Sequence, residues 1–320
     1  MAASQPERRP RIAYNYVDAL KERLAAHWSK PVMLDYPGDR PPWEVPEDAD
    51  LLICFHTGWE NAPKVAPAGW PHNLKQIHVL TAGVDKYPDW FFKGTVMTCG
   101  RGVSAAGIAE YALTAVFARE KCFIELANPA LRGQKPAMRG IAGKKLGLLG
   151  IGAIGQAIAS RAAAFGMDVL ACSRSGRKPD GFDITMIGSL PALMAQADHV
   201  IVTLPLTGET HLMLDKAAFD AAKPGLHLVN VSRGLIVDQE ALLEALDSGK
   251  VGFATLDVTE PEPLPPDHRL LSHPNVLVTP HISWMAEDNF ERLVAKALRD
   301  LDRYVRGEPP LDVVDPAAGY

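Results

Sequence analysis

The chain has 320 residues, and 33 Lys and Arg against 38 Asp and Glu give a formal net charge of −5. Its length suggests about two domains, and 47% hydrophobic with 22% charged residues excludes disorder as the main state. The mildly negative charge, without a Lys/Arg block, favours neither nucleic acid nor an anionic membrane as a partner.

The first part of the chain is predicted to contain short strands separated by turns. The segment AAGIAEYALTAVFARE has small and apolar residues at helical spacing and predicts a long connecting helix, and the Gly/Pro/basic stretch after it predicts a linker. The predicted elements are a helix at 15–28, strands at 32–34, 51–55 and 77–80, a helix at 105–120 and a linker at 128–143.

Compact apolar strands alternate with helices over the rest of the chain, which predicts an α/β fold with parallel sheets buried on both faces. A closing amphipathic helix at 286–304 is expected to pack back on the N-terminal part. The other elements are strands at 145–149, 169–172, 199–205, 226–232, 253–258 and 275–280, and helices at 156–165, 190–196 and 239–248.

The location signals favour the cytoplasm. The N-terminal segment carries charges where a secretory signal needs an apolar stretch, and the longest uncharged run, 270–286, is interrupted by two prolines. Four cysteines lie far apart without CxxC or CxxH spacing, so we expect reduced thiols, no disulfide framework and no metal site.

A glycine motif, GxGxxG, is formed by Gly150, Gly152 and Gly155 between a predicted strand and a predicted helix. In this context the glycines permit a tight turn, close approach of a pyrophosphate to the backbone and close helix packing. The motif therefore predicts a dinucleotide site, with a ligand-free glycine turn as the alternative.

The end of the next predicted strand carries Ser173, Arg174 and Ser175, where an NAD site would place an acid for the ribose 2′-hydroxyl. A guanidinium between two hydroxyls suits the 2′-phosphate of NADP, whereas a carboxylate would repel it. This favours NADP(H), with NAD(H) still possible and a merely solvated basic loop as the alternative.

Ionisable residues follow three predicted strands of the same sheet: Arg233 after one, His281 after another, and the acids Asp257, Glu260 and Glu262 in a proline-rich loop after the third. Each alone is more often structural. Together with a dinucleotide turn, an arginine for a carboxylate, a histidine for proton exchange and an acid to hold it favour a carbonyl reductase.

Seven motifs in this order resemble the D-isomer-specific 2-hydroxyacid dehydrogenase family over nearly the whole chain, in type nearest to its NADPH-using glyoxylate/hydroxypyruvate reductases. They are AGVD, AEYAL, GKKLGLLGIGAIG, LPLTGET, NVSRGLIVD, LDVTEPEPLP and VTPH. The resemblance implies a flavodoxin-like substrate domain at 1–102 and 286–320, and an inserted Rossmann dinucleotide domain at 103–285. It also implies a homodimer and hydride transfer between NADP(H) and a small 2-oxo or D-2-hydroxy acid.

By the same resemblance, the catalytic residues are Arg233, Glu262 and His281, and formate oxidation is disfavoured because formate dehydrogenases carry Gln at the glutamate position. Two tryptophans after strand ends are expected to shape the substrate pocket, with a place in the core as the alternative. The expected cofactor contacts are Gly150, Gly152, Ala153, Ile154, Gly155, Ser173, Arg174, Ser175, Pro205, Thr210, Val231, Ser232, Asp257 and His281. The expected substrate contacts are Ala82, Gly83, Val84, Arg233, Trp59 and Trp284.

Two other functions remain open from the sequence. One is an NAD-linked dehydrogenase of another D-2-hydroxy acid. The other is a non-catalytic, dinucleotide-sensing corepressor on the same scaffold, against which the lack of long interaction tails counts.

Overall fold

The computed structural model describes residues 9–34, 36, 41–127, 135–316 and 318–320. The chain divides into two compact units, one formed by Met1–Val103 with Glu287–Tyr320 and the other by Ser104–Ala286. Within the described ranges, no helix has the length and apolar character needed to cross a membrane.

The first unit contains a five-stranded parallel sheet in the order β2-β1-β3-β4-β5, which is the flavodoxin-like order. Its strands are β1 (Arg11–Asn15), β2 (Val32–Leu34), β3 (Leu51–Cys54), β4 (Gln76–Val79) and β5 (Val96–Cys99), and its helices are α1 (Asp18–Ala25) and α9 (Asn289–Val305). The closing helix α9 packs as predicted, because its buried face shares one core cluster with Ile12, Leu20 and Ile53.

The second unit contains a seven-stranded parallel sheet in the order β12-β11-β10-β9-β6-β7-β8. Its strands are β6 (Lys145–Leu149), β7 (Asp168–Cys172), β8 (Thr185–Met186), β9 (His199–Val202), β10 (Leu226–Asn230), β11 (Val251–Leu256) and β12 (Val276–Val278). Its helices are α2 (Ala105–Glu120), α3 (Phe123–Leu126), α4 (Ala153–Ala164), α5 (Leu190–Met194), α6 (Lys216–Asp220), α7 (Gln239–Asp247) and α8 (Arg269–Ser272).

Both faces of this sheet are covered, as the apolar strands predict. Along β10, Leu228 belongs to the core cluster that includes α5, α6 and α7, and its neighbour Val229 belongs to the cluster that includes α2 and α4. Strand order reverses between β6 and β9, and in such sheets ligands bind beyond the carboxyl ends of the strands at that point.

The structure corrects several predicted element boundaries. The helix predicted at 15–28 begins only at Asp18, because Arg11–Asn15 pairs with strands on both sides as β1. Strands β5 and β8 and helices α3, α6 and α8 were not predicted. The linker predicted at 128–143 lies outside the described residues up to 134, and 135–143 contains no described helix or strand.

All four cysteines are free thiols, three of them buried. They lie in both units, and Cys54 is fully buried, which raises its pKa to about 12. The prediction of reduced, mostly buried thiols is confirmed.

A buried histidine pair lies near the start of β9 and β10. The Nδ1 atoms of His199 and His227 are 3.1 Å apart, and Nε2 of His227 is 3.1 Å from Oγ1 of Thr255. A hydrogen bond between two Nδ1 atoms requires one of them to be unprotonated, so the two imidazoles cannot be charged at the same time. Burial, then the positive charges of His199 and two arginines, lower the pKa of His227 well below its usual value.

We expect this histidine to make the protein less stable in mild acid. Because the pKa of His227 is lower in the folded than in the unfolded chain, the unfolded chain takes up a proton as the pH falls below about 6.5. Going from pH 7 to pH 5 should cost about 2 kcal/mol for this one group. Urea unfolding of His227→Asn should show a correspondingly smaller loss between these pH values than wild type, with exposed His211→Asn as the control. An equal loss in His227→Asn would contradict the assignment.

Candidate active site

Three adjacent parallel strands, β10, β11 and β12, bring the predicted ionisable residues to one edge of the second unit's sheet. Arg233 lies three residues after β10, Glu262 six residues after β11 and His281 three residues after β12. The guanidinium of Arg233 is half-buried, and its Nη1 donates to the carbonyl oxygen of Ser232 at 2.8 Å. The topology therefore groups these side chains at the carboxyl edge of the sheet.

The glutamate and the histidine are in direct contact. Nδ1 of His281 is 2.6 Å from Oε1 of Glu262. An ionised carboxylate only accepts hydrogen bonds, so Nδ1 carries the hydrogen and donates. Nε2 is then the ring nitrogen left to exchange a proton with another molecule, and both side chains reach solvent, with 37% and 39% of their area exposed.

The backbone that carries the histidine is folded around a single aspartate. The N–H of His281 donates to the main-chain oxygen of Asp257, that of Ile282 to Oδ1 and that of Ser283 to Oδ2, each at 2.9 Å. His281 itself has a φ of +54°, which a residue with a side chain adopts only when its surroundings hold it there. These three donors provide that constraint.

Asp257 is 1% exposed, and its carboxylate also accepts from the hydroxyl of Thr279 at 2.6 Å. The sequence predicted Asp257 as a cofactor contact. In the structure its oxygen atoms serve the histidine loop, and the contact with a cofactor stays a prediction.

The loop that carries the glutamate is held against the loop that carries the arginine. A Cβ atom on Gly234 would lie 2.1 Å from the carbonyl carbon of Thr259, so the two backbones touch without room for a side chain. The amide of Gln239 bonds the backbone of Glu260 twice, donating to its oxygen and accepting from its nitrogen. Arg233 is thus linked to the glutamate loop through its neighbour Gly234.

The glycine turn joins β6 to α4 as the motif requires. Gly150 has a φ of +97°, and a Cβ atom on Gly155 would lie 2.5 Å from the oxygen of Gly150, so both positions need glycine. Gly152 faces open space and precedes Ala153 and Ile154 at the start of α4, where no side chain caps the helix. This open helix N-terminus fits the phosphates of a dinucleotide.

The end of β7 provides a second feature that fits a nucleotide. The hydroxyl of Ser173 is buried without a hydrogen-bond partner among the described residues. The N–H of Gly176 donates to the oxygen of Ser173 at 3.1 Å, closing a turn in which Arg174 and Ser175 are exposed. A buried hydroxyl without a partner beside an exposed guanidinium suits a polar ligand group.

Other predicted cofactor contacts are used within their own loops. Thr210 is 7% exposed and donates its hydroxyl to the oxygen of Pro205 at 2.7 Å. Ser232 donates its hydroxyl to the oxygen of Leu204, and Val231 is buried. These residues shape the chain after β9 and β10, and their contact with a cofactor stays a prediction.

The predicted substrate loop AGVD follows β4 in the first unit. Thr81 donates its hydroxyl to the oxygen of Gly83 at 2.8 Å, Ala82 is exposed, and Val84 is buried in the core of that unit. A hydrogen bond at the start of the loop and a buried side chain after it therefore hold its conformation.

The two tryptophans differ in their surroundings. Trp59 is 1% exposed and packs edge-on against Phe91, with ring centroids 4.4 Å apart, inside an aromatic core of the first unit. This burial favours the alternative, a place in the core, and a contact between Trp59 and the substrate stays a prediction. Trp284 is 44% exposed, and its indole N–H donates to the main-chain oxygen of His281 at 2.9 Å.

Two residues that position the site were not predicted. Gln239 is the first residue of α7, and Thr279 lies two residues before His281 in the VTPH motif. Neither residue has a charge or a spacing that would identify it as part of the site. Their roles depend on contacts between loops that only the fold brings together.

Comparison with known proteins identifies relatives of this chain. Residues 118–283 match the family described as D-isomer specific 2-hydroxyacid dehydrogenase, NAD binding domain. The chain is similar to a glyoxylate reductase from Thermofilum pendens, with 31% identity over 284 residues that cover 84% of this chain and 82% of that protein.

Solved structures of related proteins are similar to this chain over almost its whole length. One is a D-isomer specific 2-hydroxyacid dehydrogenase from Xanthobacter autotrophicus Py2 in complex with NADPH and MES, with a TM-score of 0.82 and 28% identity, covering 98% of this chain and 100% of that one. Another is an NADPH-dependent glyoxylate/hydroxypyruvate reductase from Sinorhizobium meliloti in complex with NADP and sulfate, with a TM-score of 0.79 and 25% identity at the same coverage.

The contact between the arginine and glutamate loops predicts a sharp steric effect. Gly234→Ala would force a methyl group into the backbone of Thr259 and should lower the free energy of unfolding by roughly 3 kcal/mol, as overpacking does in cores. Gly188→Ala is the control, because Gly188 is exposed and has nothing within 4 Å of the added atom. If urea unfolding shows equal stability for the two variants, the backbone contact is not as described.

Proposed function

Because this chain belongs to the D-isomer-specific 2-hydroxyacid dehydrogenase family, we propose that it is an NADPH-dependent reductase of glyoxylate, hydroxypyruvate or a related small 2-oxo acid, forming the D-2-hydroxy acid. Membership of this family makes it an oxidoreductase that acts on the CH–OH group of donors. The observation that supports the proposed reduction is the 2.6 Å contact between His281 and Glu262.

In this proposal His281 donates the proton that the substrate oxygen needs. A 2-oxo acid becomes a 2-hydroxy acid when its carbonyl carbon gains a hydride and its oxygen gains a proton. With Nδ1 engaged by Glu262, Nε2 of His281 is the nitrogen that gives this proton. Glu262 keeps the ring in the required tautomer and orientation.

Arg233 holds the carboxylate that every 2-oxo acid carries. Its planar guanidinium can bind two carboxylate oxygens at once, and it follows β10, which is separated from the strand of the histidine, β12, by β11 alone. An arginine for the carboxylate and a histidine for the carbonyl oxygen together support a 2-oxo acid as the substrate.

A reduced nicotinamide, when bound, supplies the hydride. We propose that the glycine turn and the first turn of α4 hold its pyrophosphate, since Gly152 faces open space and the helix end lacks a side-chain cap. In this assignment Ser104–Ala286 is the dinucleotide domain, and Met1–Val103 with Glu287–Tyr320 is the substrate domain.

The preference for NADPH over NADH rests on the end of β7. No carboxylate follows that strand in the turn from Ser173 to Gly176, and Arg174 is exposed beside a buried hydroxyl that lacks a partner among the described residues. A 2′-phosphate carries nearly two negative charges and would bind both groups.

We further propose that the protein is a homodimer. Phe123, Met138 and Phe165 expose 61%, 55% and 53% of their areas in the dinucleotide-binding unit. Phe165 packs on Phe117 in the last turn of α2, Phe123 follows that helix in sequence, and the oxygen of Ala137, next to Met138, is 3.9 Å from the Cys122 thiol. Covering such a group against a second copy would remove it from water.

The cofactor and substrate assignments are tested together by initial rates of NADPH and NADH oxidation with glyoxylate and hydroxypyruvate. We expect kcat/KM with NADPH to exceed that with NADH at least tenfold. Arg174→Ala should lower kcat/KM with NADPH about 10- to 100-fold, the value of a charge-assisted hydrogen bond, and leave the NADH rate unchanged.

Arg269→Ala is the matched control, since Arg269 lies on α8 in the same unit and pairs with the exposed carboxylate of Asp247. Equal or better use of NADH by the wild type would overturn the NADPH preference. No turnover over a broad panel of 2-oxo acids with either coenzyme would overturn the reductase proposal.

A further inference from the structure

A chain of two hydroxyl groups connects helix α2 to the carboxylate around which the histidine loop is folded. The hydroxyl oxygens of Tyr111 and Thr279 are 2.5 Å apart, and Oγ1 of Thr279 is 2.6 Å from Oδ1 of Asp257. All three residues belong to the same unit as His281.

The direction of these hydrogen bonds follows from the number of hydrogens available. The carboxylate can only accept, so Thr279 must donate its single hydroxyl hydrogen to Asp257. Its oxygen then accepts, and the donor is the phenol of Tyr111. Burial raises the pKa of Tyr111, so the phenol keeps its hydrogen throughout the neutral range.

Tyr111 therefore determines which way the threonine hydroxyl points. Without the phenol, Thr279 could rotate its hydroxyl to another acceptor, and Asp257 would lose one of the bonds that orient its carboxylate in a site that is 1% exposed. The same oxygen, Oδ1, receives the N–H of Ile282, so the orientation of the carboxylate is transmitted to the loop.

A second contact joins the same face of α2 to the far end of this loop. A Cβ atom on Gly107 would lie 3.2 Å from Cβ of Ala286 and 3.6 Å from the main-chain oxygen of Trp284. Gly107 and Tyr111 are four residues apart and so lie one above the other on the helix. Helix α2 thus supports the loop from Thr279 to Ala286 at both ends.

We propose that Tyr111 is a positioning residue for His281, acting through Thr279 and Asp257 to hold the imidazole where it can protonate the substrate. The proposal rests on the reductase function proposed above. His281 needs such support because its backbone is in the left-handed region, which persists only where several contacts enforce it. A displacement of about 1 Å in a reacting group can cost up to 100-fold in rate.

Tyr111→Phe removes the hydroxyl and keeps the ring. We expect kcat for hydroxypyruvate reduction to fall about tenfold while KM for NADPH stays within about twofold, because the loss concerns the geometry of the histidine and not cofactor binding. Thr279→Val, which removes the second hydroxyl, should give a similar fall. Thr279→Ser retains that hydroxyl and should restore most of kcat.

Tyr14→Phe is the matched control. The phenol of Tyr14 is also a hydrogen-bond donor, to the main-chain oxygen of Val17 at 2.5 Å, but it lies in the first unit and outside the site. This variant should keep the wild-type kcat and report any general effect of losing a tyrosine hydroxyl. Thermal unfolding of every variant identifies an effect on folding alone.

A readout that needs no turnover separates this proposal from the proposed function. In imidazole ¹H–¹⁵N spectra, assigned with His281→Asn, the Nδ1–H signal of His281 should shift or broaden in Tyr111→Phe and Thr279→Val, but not in Thr279→Ser or Tyr14→Phe. An unchanged signal in folded Tyr111→Phe, or an unchanged kcat, overturns the positioning role. If the wild type reduces no 2-oxo acid but the Tyr111→Phe and Thr279→Val variants show these spectral changes, only the reductase proposal is overturned.

Discussion

One buried carboxylate determines the arrangement of the candidate site. Asp257, at the end of a central strand, accepts hydrogen bonds from three consecutive backbone N–H groups that begin at His281, through its main-chain and both side-chain oxygens. Successive N–H groups around an anion form a concave nest, and here the anion belongs to the chain itself. Burying an aspartate costs free energy unless its oxygens accept hydrogen bonds. The buried carboxylate therefore needs the N–H groups of the loop, and the loop needs the carboxylate to keep its shape.

The second half of the site is held in a different way. The loop with Glu262 is fastened by the amide of Gln239 and by the close approach of Gly234 to its backbone, without any charged group. The imidazole and the carboxylate meet because two loops, each fixed to its own strand, end at the same edge of a parallel sheet. A rigid scaffold of this kind keeps an acid–base pair at hydrogen-bond distance while leaving it exposed to solvent.

The sequence was most informative where a residue type has few physical explanations. The glycines at 150 and 155 are needed by a positive φ and by a backbone contact, so the motif predicted its turn correctly. An acid beside His281 was also expected, because residues after the carboxyl ends of parallel strands lie at one edge of the sheet. The choice of Glu262 among the acids of its loop came from the family resemblance. For Trp59 the sequence left a pocket and a core position open, since the position of an aromatic after a strand does not reveal which way the ring points. Tyr111 was beyond prediction, because its partner is 168 residues away.

In the proposed reaction His281, held by Glu262, protonates a 2-oxo acid as a hydride reaches its carbonyl carbon. The most direct test is the single-turnover rate at which deuterium passes from 4-deuterated NADPH to C2 of hydroxypyruvate, in the wild type and in His281→Asn. We expect one deuterium at C2 of the product and a rate about 10² to 10⁴ times lower in the variant at saturating coenzyme. Product without deuterium at C2, or near wild-type transfer in the variant, would contradict it.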